Sequence, residues 1–176
     1  MAFFDRIIPG SRREKRLFAG VLFFGCAMLL LDQLTKIYFE YHYPLGRCVP
    51  VIDGFFDLTH VRNKGAAWSM FAGQRYLLLG IGVAVFAAVV KFFRQLTEGC
   101  AERYWAMLLI LSGIAGNSID RFWRGEVVDF LSFHYFDVYY YPVFNVADIA
   151  ICTGVGIYII SGFCRKETKK KEPSEN

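Results

Sequence analysis

Residues 17–38 read LFAGVLFFGCAMLLLDQLTKIY. Its first fifteen residues carry no charged side chain, and the apolar register runs past Asp32 to Tyr38. That length is close to the ~20 residues an α-helix needs to cross ~30 Å of hydrocarbon. In lipid such a stretch has to be helical, because no water is present to satisfy its backbone polar groups. Basic residues (Arg6, Arg12, Arg13, Lys15, Arg16) precede it, as they would a secretory signal, but no small-x-small cleavage site follows Leu31. It therefore reads as a retained span.

Working outward, three further stretches have the same character: Tyr76 to about Phe93, Tyr104 to about Ile119, and Val143 to about Phe163. A chain of 176 residues that is 55% hydrophobic and 18% aromatic is too apolar for an ordinary soluble core of that size. The expected fold is an all-α membrane protein with four transmembrane helices (about 17–38, 76–93, 104–119 and 143–163). These form a single four-helix transmembrane domain over residues 1–165. A charged, disordered tail is expected over 166–176.

Basic residues orient the bundle. They cluster before the first span, at Lys91, Arg94 and Arg103 between the second and third, and at Arg165, Lys166, Lys169, Lys170 and Lys171 after the fourth. These segments are expected in the cytoplasm, which places both termini inside and the connections 40–75 and 120–142 outside. The outer stretch Cys48 to Ser69 mixes β-branched and aromatic residues with turn formers (Pro50, Asp53-Gly54, Asn63, Gly65) and predicts a small extracytoplasmic β-sheet. The other outer loop is aromatic (His134-Tyr135-Phe136, Tyr139-Tyr140-Tyr141), as expected of chain lying among lipid headgroups.

The net charge of +4 is not arranged as a basic groove, which argues against a nucleic-acid partner. The five cysteines show no metal or disulfide spacing and read as free thiols, and the three histidines form no HExxH pattern. No metal or cofactor is expected.

Polar residues at the ends of spans gather on the outer side: Asp32-Gln33-Leu34-Thr35-Lys36, Asn117-Ser118-Ile119-Asp120-Arg121 and Phe144-Asn145-Val146-Ala147-Asp148. Asp32 and Lys36, four apart, share a helix face, which suggests an interfacial ion pair with the lysine snorkelling outward. Asn117 shares a face with Asp120 or Arg121, and an aspartate beside an arginine reads as a paired brace. Asn145 suits a helix N-cap.

Asp148 is harder to place in a structural role. Six residues after Pro142, it is expected on the order of 8 Å down the fourth helix, with no basic residue in that span to neutralise it. A lone carboxyl there is costly and calls for a partner. Asp129, which interrupts the apolar run Val127-Val128-Asp129-Phe130-Leu131, is the first choice; Asp120 and Asp137 are alternatives that spacing does not separate. Two carboxyls a few ångströms apart share one proton. The ionised member can then deprotonate a water while the protonated one donates to the scissile group.

Five blocks in order, Asp32-Gln33-x-Thr35-Lys36, Asn63-x-Gly65-Ala66-Ala67-Trp68-Ser69, Gly116-Asn117-x-x-Asp120-Arg121, Val128-Asp129-Phe130 and Phe144-Asn145-x-Ala147-Asp148, give a chain that resembles lipoprotein signal peptidase (signal peptidase II). The resemblance implies an aspartic endopeptidase of the bacterial cytoplasmic membrane, working as a monomer at its extracytoplasmic face. Its implied substrates are prolipoproteins, cut just before a diacylglyceryl-modified cysteine, and membrane lipid is the other implied partner. It implies that Asp129 and Asp148 are the catalytic pair. Asn63, Asn117, Arg121 and Asn145 line or brace the site, and Asp32, Asp120 and Lys36 support it. Ser112 is a departure, standing where many members carry glycine.

Other classes fit less well. A proton-coupled membrane transporter would place carboxyls near the midplane with access from both sides, whereas these crowd one face. A serine–lysine peptidase built on Ser69 or Ser118 needs a desolvated lysine, Lys36 or Lys64, as base. A non-catalytic scaffold gives the aspartates no task.

Overall fold

The computed structural model describes residues 11–171 except Ala67, Ser69 and Asp137. In chain order it contains α1 (Arg12–His42), β1 (Cys48–Ile52), β2 (Phe56–Asn63), α2 (Arg75–Lys91), α3 (Phe93–Thr97), α4 (Ala101–Trp123), β3 (Val127–Tyr135), β4 (Tyr139–Tyr140) and α5 (Val146–Lys171). The four apolar stretches thus fall in α1, α2, α4 and α5. Segments Lys15–His42 and Val146–Arg165 are long and apolar enough to cross a membrane. Helix α2 buries none of its side chains, and large apolar residues face outward on α1 and α5 as well, among them Phe23 (78% exposed) and Phe163 (67% exposed). Such a surface suits lipid rather than water.

Helix α4 is the centre, packed against α1, α2 and α5. Small residues let α4 and α5 approach closely: a Cβ added at Gly113 would collide with the Ala147 carbonyl oxygen. At the end of the bundle remote from the sheet, Phe18, Phe93 and Tyr104 meet edge to face with centroids 5.6–6.3 Å apart, over a core containing Val21, Met107 and Leu111.

The strands form one antiparallel sheet in the order β1-β2-β3-β4. Asp53-Gly54 makes the β1–β2 turn, with Gly54 at φ +72°. The β2–β3 register slips between Leu58 and Val61, after which Val61 faces Asp129 and Asn63 faces Val127. This irregularity re-aims the end of β2. The Phe144 carbonyl accepts from both Phe130 N (3.1 Å) and Leu131 N (2.9 Å), so the chain entering α5 is tied back to β3.

Several expectations change. Helix α5 starts at Val146, not Val143, because Pro142-Val143-Phe144 is taken up in contact with β3 and Asn145 caps the helix. Asp148 therefore sits in the first helical turn rather than a turn and a half down. At its other end α5 continues to Lys171, past the expected start of a disordered tail; residues 172–176 of that tail lie outside the described residues. Helices α1 and α4 also extend several residues beyond the expected spans. Ser112 is accommodated within α4 by donating to the Leu109 carbonyl at 2.8 Å.

Candidate active site

Asp129 reaches the site from β3, flanked by the buried Val128 and Phe130, and is itself 2% exposed. Its Oδ1 accepts from Asn145 Nδ2 at 2.6 Å and its Oδ2 from Asn63 Nδ2 at 2.9 Å. Burial, and then the negative charge of Asp148, push its carboxyl up to about 7, against the pull of the two amide donors and of Lys36. Asp129 thus faces the interior of the site rather than solvent.

Asp148 reaches the site from α5. Its Oδ1 accepts from Asn117 Nδ2 at 2.8 Å and its Oδ2 from the Asn145 backbone N–H at 3.2 Å. In return Asn145 Oδ1 accepts from the Asp148 N–H at 3.0 Å. This reciprocal pair is a capping box, with Asn145 in the N-cap position. The helix cap and the carboxyl geometry are one arrangement. Asp129, Asp148, Asn63, Asn117 and Arg121 all line a cavity of about 160 Å³.

Two wider openings meet there. A groove of about 630 Å³ along the sheet shares Asn63, Trp68, Asp129 and Tyr141 with the cavity. A second, of about 280 Å³ on the outer face of α5, shares Tyr141, Phe144, Asp148 and Cys152.

Around the pair, Asn117 Oδ1 accepts from Asn145 Nδ2 at 3.2 Å and from Lys36 Nζ at 3.1 Å. Arg121 donates to the carbonyls of Asn117 (3.3 Å) and Gly65 (3.0 Å), linking α4 to the chain after β2. It does not pair with Asp120, as sequence proximity suggested. Asp120 instead meets Arg124 at 2.6 Å and Lys36 at 2.8 Å. Asp120 is thereby committed elsewhere as a rival partner for Asp148, and Asp137, the other rival, lies outside the described residues.

Lys36 does not snorkel outward. It is fully buried and directs its three N–H groups at Asp32 (2.9 Å), Asp120 and Asn117. A second acid within reach, on a helix distant in sequence, makes burial tolerable. Ser118 packs on Gly82 of α2, so Lys36 is not available to it as a base. Ser69 lies outside the described residues.

Sequence reasoning passed over Glu40 and Arg124 and gave Gln33, though part of a quoted block, no role. Arg124 donates to Gln33 Oε1 at 3.0 Å and to Glu40 Oε2 at 2.6 Å, extending the buried network to the end of α1. The Asp120–Arg124 spacing of four on one helix was the available signal.

The sequence profile described as "Signal peptidase (SPase) II" matches residues 24–164. The chain is 40% identical to the lipoprotein signal peptidase of Bacillus subtilis over 155 residues, covering 86% of this chain and 99% of that one. It is 39% identical to the lipoprotein signal peptidase of Clostridium acetobutylicum over 144 residues, covering 82% and 92%. A bacterial membrane enzyme solved by the in meso method at 2.3 Å resolution superposes with a TM-score of 0.79 at 31% identity, over 90% of this chain and 94% of that one. With the profile spanning most of the chain and relatives matched over nearly their whole length, this protein belongs to the signal peptidase II family.

Proposed function

We propose that the protein is an aspartic endopeptidase that removes the signal peptide of diacylglyceryl-modified prolipoproteins, cutting just before the lipidated cysteine. The observation that carries this reading is the joint presence of Asp129 and Asp148 on one small cavity, each held by asparagine donors. Burial and the charge of Asp148 raise Asp129 to about 7, so that it both holds and releases a proton near neutral pH. The ionised carboxyl takes a proton from a water molecule, which attacks the scissile carbonyl carbon. The protonated carboxyl donates to the carbonyl oxygen and, as the C–N bond breaks, a proton goes to the leaving amine. Asn63, Asn117 and Asn145 orient the two carboxyls, and Arg121 supplies positive charge near both.

The sheet-side groove, lined by polar and aromatic residues, suits the peptide on its way to the pair. The apolar groove on α5 suits an acyl chain arriving from lipid. Both readings agree with four spans, both termini in the cytoplasm, and a site at the outer face of the bacterial inner membrane.

The test is cleavage of a lipidated precursor peptide by the purified protein. Asp129→Asn and Asp148→Asn are each expected to reduce kcat by roughly 10²–10⁴-fold. Wild-type rates in either variant refute the pair. Reporter fusions at residues 55 and 96 are expected to report opposite sides of the membrane, and the same side for both refutes the topology.

A further inference from the structure

Lys36 stands between two matching arrangements. On one side its Nζ meets Asp32 Oδ2 at 2.9 Å, and Asp32 Oδ1 accepts the backbone N–H of Ala147 at 2.9 Å. On the other it meets Asp120 Oδ2 at 2.8 Å, and that oxygen accepts the backbone N–H of Val128 at 3.3 Å. Ala147 immediately precedes Asp148, and Val128 immediately precedes Asp129. Lys36, Asp32 and Asp120 are each no more than 1% exposed.

We infer that Lys36 is a positioning residue that sets the separation of Asp129 and Asp148, by tying together the two carboxylates that anchor the backbone just before each of them. This rests on the reading of Asp129 and Asp148 as the working pair.

The physical case has three parts. First, the lysine comes from α1 while the two anchored backbones belong to β3 and α5, so it adds a tie from a third element to the direct β3–α5 bonds made by Phe144 and Asn145. Second, buried ion clusters seldom raise stability above that of a neutral packing, so their retention calls for a geometric reason. Third, catalysis by paired groups is sensitive to placement, with misplacement by about 1 Å costing on the order of 10²-fold. The third N–H of Lys36 reinforces the tie through Asn117, which holds Asp148 directly.

The charge of Lys36 also acts on Asp129 and favours its ionised form. Asp148 on α5 opposes that effect, and Asp120 and Arg121 are the charged groups that face the site from α4. Removing the ammonium therefore moves the Asp129 limb of the kcat profile toward higher pH.

The experiment uses full-length protein in detergent with the lipidated precursor peptide, each variant assayed below its own melting temperature. Lys36→Met is expected to lower kcat by roughly a hundredfold with KM changed less than about threefold, and to shift the pH limb upward. The triple variant Asp32→Asn/Lys36→Met/Asp120→Asn keeps both backbone acceptors and removes the charges of these three residues, leaving Arg124 paired with Glu40, while the tie stays broken. Its Tm is expected to recover toward wild type while kcat stays at least roughly tenfold down.

Recovery of kcat together with Tm would overturn the inference, reducing the lysine to a counter-ion. A folded Lys36→Met with wild-type kcat and pH profile would overturn it as well. A triple variant that does not fold would assign the cluster to the fold alone, against the inference. Full activity in Asp129→Asn and Asp148→Asn, by contrast, would remove the pair itself, whatever Lys36 does.

Discussion

The amide of Asn145 donates to Asp129 across 2.6 Å while its carbonyl oxygen accepts the backbone N–H of Asp148, so one fully buried side chain joins both carboxyl-bearing segments. Asn145→Ala removes the cap of α5 and leaves Asp129 short of a donor. The expected cost is about 2–4 kcal/mol of stability with a loss of kcat of at least roughly tenfold. Thermal unfolding and peptide cleavage check this, and an unchanged Tm would contradict the dual role.

Stability should depend on pH through Asp129. Its folded-state value of about 7 lies above the 3.8 of an unperturbed aspartate. The unfolded chain therefore gives up this proton first, and the contribution present below about pH 4 is lost as pH rises toward 7. The loss is on the order of 4 kcal/mol. Asp129→Asn does not titrate, so the variant should gain on the wild type between about pH 4 and 7. A stability difference between the two that is flat over that range would contradict the raised value.

Gly116 is required by Asp32. A Cβ at this position would lie 2.4 Å from Asp32 Oδ2 and displace the carboxylate that anchors Ala147. Gly116→Ala is expected to cost about 1–3 kcal/mol and to slow cleavage. Gly156→Ala meets nothing within 4 Å and should be neutral or slightly stabilising. Equal effects from the two substitutions would count against the packing argument.

Cys48 should label slowly although it is exposed. Burial of the thiol's surroundings and the Asp57 carboxylate, which accepts from its Sγ at 3.1 Å, push it up to about 11. The thiolate is the reacting form, so Asp57→Asn should speed maleimide labelling at pH 8 by roughly tenfold. This is best read in a chain whose other cysteines are serine, and an unchanged rate would show that Asp57 does not restrain the thiol.

Much of this arrangement was legible in the sequence. Lipid imposes long apolar runs, and these coincide with the four long helices; Asp53-Gly54 and the β-branched residues around it marked the hairpin. The interruption of Val127–Leu131 by one aspartate singled out Asp129, and the structure puts it on the same cavity as Asp148. What failed were inferences about depth and partnership. Pro142 alone did not mark the start of α5, because the Phe144 carbonyl is claimed by β3 and the cap falls at Asn145. Lys36 looked like an interfacial residue because its second acid, Asp120, is far along the chain. Arg124 and Glu40 drew no role from the sequence for the same reason: their pairing with each other depends on how α1 and α4 meet, which spacing along one helix does not report.

Because Asp148 lies in the first turn of α5 and is latched to the residue that begins that helix, its carboxyl is also the most C-terminal of the site residues. During synthesis every other member of the constellation is made before it. On the proposal that Asp129 and Asp148 are the working pair, a nascent chain that has not yet wound this turn carries a lone acid and no cutting centre.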